Sequence, residues 1–153
     1  MAVSNVSTIN ADTWQLISTT TITSGTTSYN FNSLSGYKTI LIAGKNIVKS
    51  GAVYSTITIN GDTSAGAYAY NAQSGSDTQF YVTGNSAGPA ALAVVINDID
   101  QAVPHRIDAG YTTYPTALNN YYTNPVVITS IQLNAISSGS FTSGTIYLYG
   151  IAS

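Results

Sequence analysis

Residues Gly84 to Gly88 read GNSAG, the G-x-S-x-G spacing with which many hydrolases raise a nucleophilic serine. That chemistry needs a sharp turn from strand to helix under Ser86, with an acid and a histidine brought in from further along the chain. Here Pro89 follows at once, and the β-branched run Val94, Val95 and Ile96 predicts a strand instead of a helix. The single histidine, His105, comes soon after, with Asp98 and Asp100 between, which leaves no room for the fold that positions a triad. The expectation is a Gly/Ser hairpin loop with no catalytic residue.

Other chemistry fares no better. Asn97, Asp98 and Asp100 form an oxygen-rich stretch, NDID. Calcium takes about six to eight oxygens from a defined loop, and no spaced set of acids stands nearby, so Asx turns capping a strand end are expected there. His105 follows Pro104 in an expected loop and has no Cys or acidic pair at zinc-ligand spacing. Glycoside hydrolysis needs two facing carboxylates, and none of the scattered aspartates is singled out as a pair. The chain is therefore expected to be no enzyme, with no metal and no cofactor.

The tyrosines carry more information. Tyr111, Tyr114, Tyr121 and Tyr122 crowd the segment GYTTYPTALNNYYTNP, interleaved with Asn119, Asn120 and Asn124. Exposed rings beside amides suit a sugar face or a protein interface. These four tyrosines are the candidate interface or glycan contacts.

Charge excludes a class of partners. Among 153 residues there are four Lys or Arg, six Asp and no Glu, for a net charge of −2. Counterion-release binding needs several aligned cations. The trio Lys38, Lys45 and Lys49 is read as a solvated edge, and no nucleic acid is expected. The longest apolar run, PAALAVVI from Pro89 to Ile96, is far short of the roughly 20 residues of a membrane span, so no membrane partner is expected. With no cysteine, only non-covalent packing can hold the fold.

The elements that must position these groups are strands. Ser, Thr and Asn make up about a third of the chain, a composition that competes with helices and suits turns and pleated surfaces. Period two appears in Trp14 to Ser18, then in YKTILIAGKNIV, where Lys38, Ile40 and Ile42 share one face and Tyr37, Thr39, Leu41 and Ala43 the other. VYSTITING places Ile57 and Ile59 together and ends on Asn60 and Gly61, a pair suited to positive φ. Further runs at 67–73, 77–83, 91–97, 106–114 and 126–136 precede the closing GTIYLYGI. About eight to ten strands without a helical period predict an all-β antiparallel sandwich or barrel. Residues 1–12 are read as a polar arm and 13–153 as a single domain.

A tryptophan-led strand, YNFNSLSGYKTILIAG, STITINGDTSAGAYAYNA and ITSIQLNAISSGSFTSGTIYLYGI together resemble a group of small tailed-bacteriophage virion proteins. The resemblance covers most of the chain from Trp14 onward, apart from 73–122. It implies an antiparallel jelly-roll β-sandwich and a structural role. The expected function is a capsid decoration or cement protein, a homotrimer bound to the major capsid protein on the capsid exterior of the virion. The alternative is a tail-fibre or receptor-binding module that contacts a host surface glycan.

Overall fold

The computed structural model describes residues 13–70, 73–83, 87–110, 120–136 and 138–153. The arm 1–12, Tyr111 and Tyr114 lie outside them. Among the described residues there is no helix. They form twelve strands: β1 (Gln15–Thr21), β2 (Ser28–Asn32), β3 (Tyr37–Lys49), β4 (Ser55–Ile59), β5 (Tyr68–Tyr70), β6 (Gln73–Asp77), β7 (Phe80–Thr83), β8 (Ala90–Asn97), β9 (His105–Gly110), β10 (Asn120–Tyr122), β11 (Ser130–Ala135) and β12 (Phe141–Ala152).

They make two antiparallel sheets, one of eight strands in the order β1-β12-β3-β8-β9-β10-β5-β6 and one of four in the order β2-β11-β4-β7. The ladders β1·β12, β2·β11, β3·β8 and β4·β7 are nested. They are the rungs of one long hairpin of the chain. Wrapping that hairpin adds the ladders β12·β3 and β11·β4, and the result is the two-sheet jelly roll. Two excursions extend it. β5 and β6 fall between β4 and β7, β9 and β10 between β8 and β11, and together they widen the larger sheet beyond β8.

Twelve strands exceed the eight to ten expected because the additions are short or lack a β signal. β10 has three residues, and β6 reads QSGSD, which no side-chain preference marks as a strand. The GNSAG motif lies between β7 of one sheet and β8 of the other, so it belongs to a connection from sheet to sheet and not to a hairpin; residues 84–86 are outside the described set. A strand follows it, where a nucleophile elbow needs a helix.

The core sits between the sheets. Ile40, Ile42, Val94, Ile96, Ile107, Ile146 and Leu148 from the larger sheet meet Phe31, Ile57, Ile59, Phe80, Ile131 and Leu133 from the smaller. Each contributes roughly 1.5–3 kcal/mol by leaving water. Phe141 is fully buried at the start of β12, its ring 5.7 Å from that of Tyr29.

Two glycines permit the close strand contacts. Gly144 adopts φ +126° and an added Cβ would lie 2.7 Å from the Asn46 carbonyl oxygen, where β3 bulges between Gly44 and Ile47. At Gly150 an added Cβ would lie 2.4 Å from the Tyr37 ring, which packs with Ile17 over the end of the core.

The two outer faces differ. On the smaller sheet Asn30, Gln132 and Thr58 stand opposite one another, and Gln132 Nε2 donates to Asn30 Oδ1 at 2.7 Å. On the larger sheet the ladder Leu16, Tyr149, Leu41, Val95 and Asp108 crosses five strands, beside the ladder Thr19, Tyr147, Ala43 and Ala93. None of the apolar members of these two ladders belongs to the inter-sheet core.

Candidate functional site

The expected contact tyrosines part company in the fold. Tyr121 and Tyr122 are neighbours on β10, so the pleat sends them to opposite sides. Tyr121, half-buried, faces outward opposite Arg106 of β9 and Ala69 of β5. Tyr122 faces inward and is 2 % exposed. This corrects its assignment as a surface contact, since its ring is core and its hydroxyl is engaged. Tyr111 and Tyr114 fall outside the described residues.

What Tyr122 touches is a polar hub built on the turn after β4. Asn60 and Gly61 take φ of 51° and 70°, and the Asp62 N–H donates to the Ile59 carbonyl at 2.8 Å, closing the turn. Asn60 ties this turn to the lead-in of β11, its Oδ1 accepting from the Thr129 N–H at 2.8 Å and the Ser130 N–H at 3.1 Å. The Asp62 carboxylate then accepts from the Ser64 N–H at 2.9 Å, from the Tyr122 hydroxyl at 2.8 Å and from Asn124 Nδ2. Its main-chain oxygen accepts from the Tyr68 hydroxyl at 2.9 Å, and that hydroxyl accepts from the Ile59 N–H at 2.8 Å.

Burial pushes the Asp62 carboxyl up, but the bonds from Ser64, Tyr122 and Asn124 outweigh it and hold the group below its ordinary range. Tyr68 is raised well above its usual value, chiefly by burial. Tyr122 is raised to about 12, by burial first and then by its bond to Asp62. The hub thus holds an ionised carboxylate and two neutral phenols at neutral pH, and it pins β4, β5, β10 and the approach to β11.

A lowered carboxylate contributes stability that is present above its unfolded pKa of about 4 and lost as pH falls through the lower folded value. Asp62→Asn is therefore expected to lower the melting temperature at pH 7 and to narrow its deficit progressively below about pH 4. Thermal melts of both proteins from pH 7 to pH 2 check this; a deficit that stays constant with pH would show the charge to be irrelevant.

His105 was expected in a loop but opens β9 and is fully buried. Its ring stacks on Tyr122 at 6.2 Å with a 19° interplanar angle. Nε2 lies 2.6 Å from the Val126 carbonyl oxygen and Nδ1 3.3 Å from that of Asn97. A carbonyl only accepts, so the short contact places a proton on Nε2. The histidine is a tie between β8, β9 and the segment before β11.

The NDID stretch is a turn leaving β8. Asp98 takes φ 55° and its carbonyl accepts from the Gln101 N–H at 3.0 Å. Between the aspartates Ile99 plugs the core, its N–H donating to the Lys38 carbonyl and its own carbonyl accepting from the Ile128 N–H. Among the described residues no three His, Cys, Asp or Glu gather where they could hold a metal.

The lysine trio does not form a shared edge. Lys45 is exposed, whereas Lys49 is 3 % exposed and its ammonium donates to the Val53 carbonyl and, at 3.1 Å, to Thr83 Oγ1. This corrects its reading as solvated, and the cause is the bulge between Gly44 and Ile47, after which Ile47 and Lys49 point inward. Burial lowers Lys49 to about 8. Below that value both folded and unfolded chains carry the proton and folding bears the desolvation cost in full. Between about 8 and 10.5 only the unfolded chain holds it, so stability rises with pH. Lys49→Met is expected to lose that alkaline rise, as urea midpoints at pH 7, 8.5 and 10 would report; an unchanged slope contradicts it.

The sequence marks Asn60 and Gly61 as a turn and carries no local signal of the hub at Asp62. Tyr68 and Asn124 lie six and sixty-two residues away, and only the fold brings them together. No protein-family model matches this chain, and neither a curated protein nor a solved structure matches it significantly.

Proposed function

We propose that this chain is a structural protein of a tailed-bacteriophage particle, a capsid decoration or cement protein that binds the outer surface of the head and stabilises the shell as a homotrimer. The observation that carries this reading is the contrast between the two outer faces of the jelly roll. One carries the polar row Asn30, Gln132 and Thr58. The other presents Tyr149, Leu41 and Val95 in a row with Leu16, and interfaces are rich in aromatic residues and poor in charge at their centre. A chain with so few ionic groups loses little desolvation energy when such a face is covered. The sequence resemblance supplies the particle; the face supports assembly.

The reading as a host-glycan module keeps only Tyr121 of its contact set among the described residues, because Tyr122 is core. The test uses heads lacking the protein. Full-length chain added back should decorate them, and a chain without Met1 to Asp12 should bind them more weakly while melting as the full chain does. Full occupancy by the shortened chain removes the arm as an anchor, and failure of the full chain to bind heads overturns the reading.

A further inference from the structure

The larger sheet breaks the rule that an antiparallel sandwich turns polar residues outward. Leu16, Tyr149, Leu41 and Val95 face each other across β1, β12, β3 and β8, with Tyr147 and Ala93 on the next ladder. Leu16 is 56 % exposed and Trp14, two residues before it, 45 %. The rings of Tyr147 and Tyr149 stack on each other at 6.4 Å, so they hold one another in place over the sheet. The smaller sheet, built by the same chain, follows the rule with Asn30, Gln132 and Thr58. Tyr81, 39 % exposed on its edge strand β7, is an exception there, but the continuous apolar rows lie on the larger sheet.

We propose that this face is the self-association surface of the protein, covered by second copies of the same chain. This rests on the structural reading above and names its contact.

Size supports that occupant. The two apolar ladders cross four strands spaced about 4.8 Å apart and span about four residues at about 3.4 Å, which gives roughly 260 Å² of sheet. That approaches the 300–600 Å² of the largest patch on an ordinary monomer, which is often functional. A stable interface takes about 800 Å² from each partner, with an apolar centre and a polar rim. The patch has the size of such a centre, and Thr19, Thr39 and Asn97 border it on the neighbouring positions.

Charge points the same way. The apolar ladders carry no ionised side chain until Asp108, which is paired with Arg106 at 2.9 Å. Lys45, exposed on the next ladder beyond Ala43, puts one cation at the rim, and the uncharged centre meets a copy of itself without like-charge repulsion. Homo-oligomers close by symmetry, and an uncharged flat patch is self-complementary in the way such closure requires.

Sedimentation velocity on the full chain tests this with no capsid present. The wild type is expected at a multiple of its 15.9 kDa mass at micromolar concentration. Tyr149→Lys and Ala93→Lys should each weaken association by at least about tenfold while keeping a cooperative melt, and Asn30→Lys on the opposite face should leave it unchanged. Ala93 is already exposed, so its variant carries the test if Tyr149→Lys fails to fold. A monomeric wild type, or an Ala93→Lys protein that associates as the wild type does, overturns the proposal. A wild-type monomer whose Ala93→Lys variant binds heads less well would give the face to the shell instead, and overturns it too. A chain that assembles through this face yet ignores heads supports this inference and sinks the head-decoration reading alone.

Discussion

A chain lacking residues 144–153 is expected to show no cooperative unfolding transition. β12 is not an edge that can be peeled away. It lies between β1 and β3 in the larger sheet, so its loss strands β1, which has no other ladder, and leaves a flank of β3 unpaired. It also removes Ile146 and Leu148 from the core, each at most 3 % exposed. Large-to-small changes at single buried positions of this kind cost about 2–5 kcal/mol, against a total stability of about 5–15 kcal/mol for an ordinary domain. Two such losses together with an opened sheet exceed what the fold can absorb. Near-ultraviolet circular dichroism and a urea titration check this. A truncated chain that still unfolds in one sharp transition would show the strand to be peripheral.

Gly144→Ala is expected to cost about 3 kcal/mol or more, the upper end of what a residue held in a glycine-only conformation stores. Two effects add. The backbone sits at φ +126°, and the new Cβ would press to 2.7 Å on the Asn46 carbonyl oxygen. That atom is main chain of the neighbouring strand, held in the β3 bulge, and cannot swing aside as a side chain could. Ser143→Ala, at an exposed neighbouring position, serves as the control and should stay within about 0.5 kcal/mol. Equal urea midpoints for the two variants would mean that the strands separate freely there.

Much of the fold was legible because period two is a local signal. Ile40 with Ile42, and Ile57 with Ile59, read as pairs on one face, and both pairs are buried, as are Ile146 and Leu148. Tyr147 and Tyr149 alternate with Ile146 and Leu148 in the closing strand, and the larger sheet leaves them on its outer face. The jelly-roll order came from a resemblance, and the nested ladders give it independently of that resemblance.

What failed to show was parity after irregularities and contact across distance. Lys49 looked like a surface cation because the bulge at Gly44 to Ile47 is not written in any single residue, and a shift of one position reverses which side chains enter the core. Tyr121 and Tyr122 looked alike because composition ignores the pleat. The Asp62 hub joins residues from four separate segments, 59–64, 68, 122 and 124. A turn signal of three residues says nothing of the tyrosines that fold onto it.

The claim that this is a component of the head is tested most directly by locating the protein in whole particles, through antibody-gold labelling of intact virions. Label distributed over the outside of the head is expected. Label gathered at the tail tip, or particles that carry none, would contradict it.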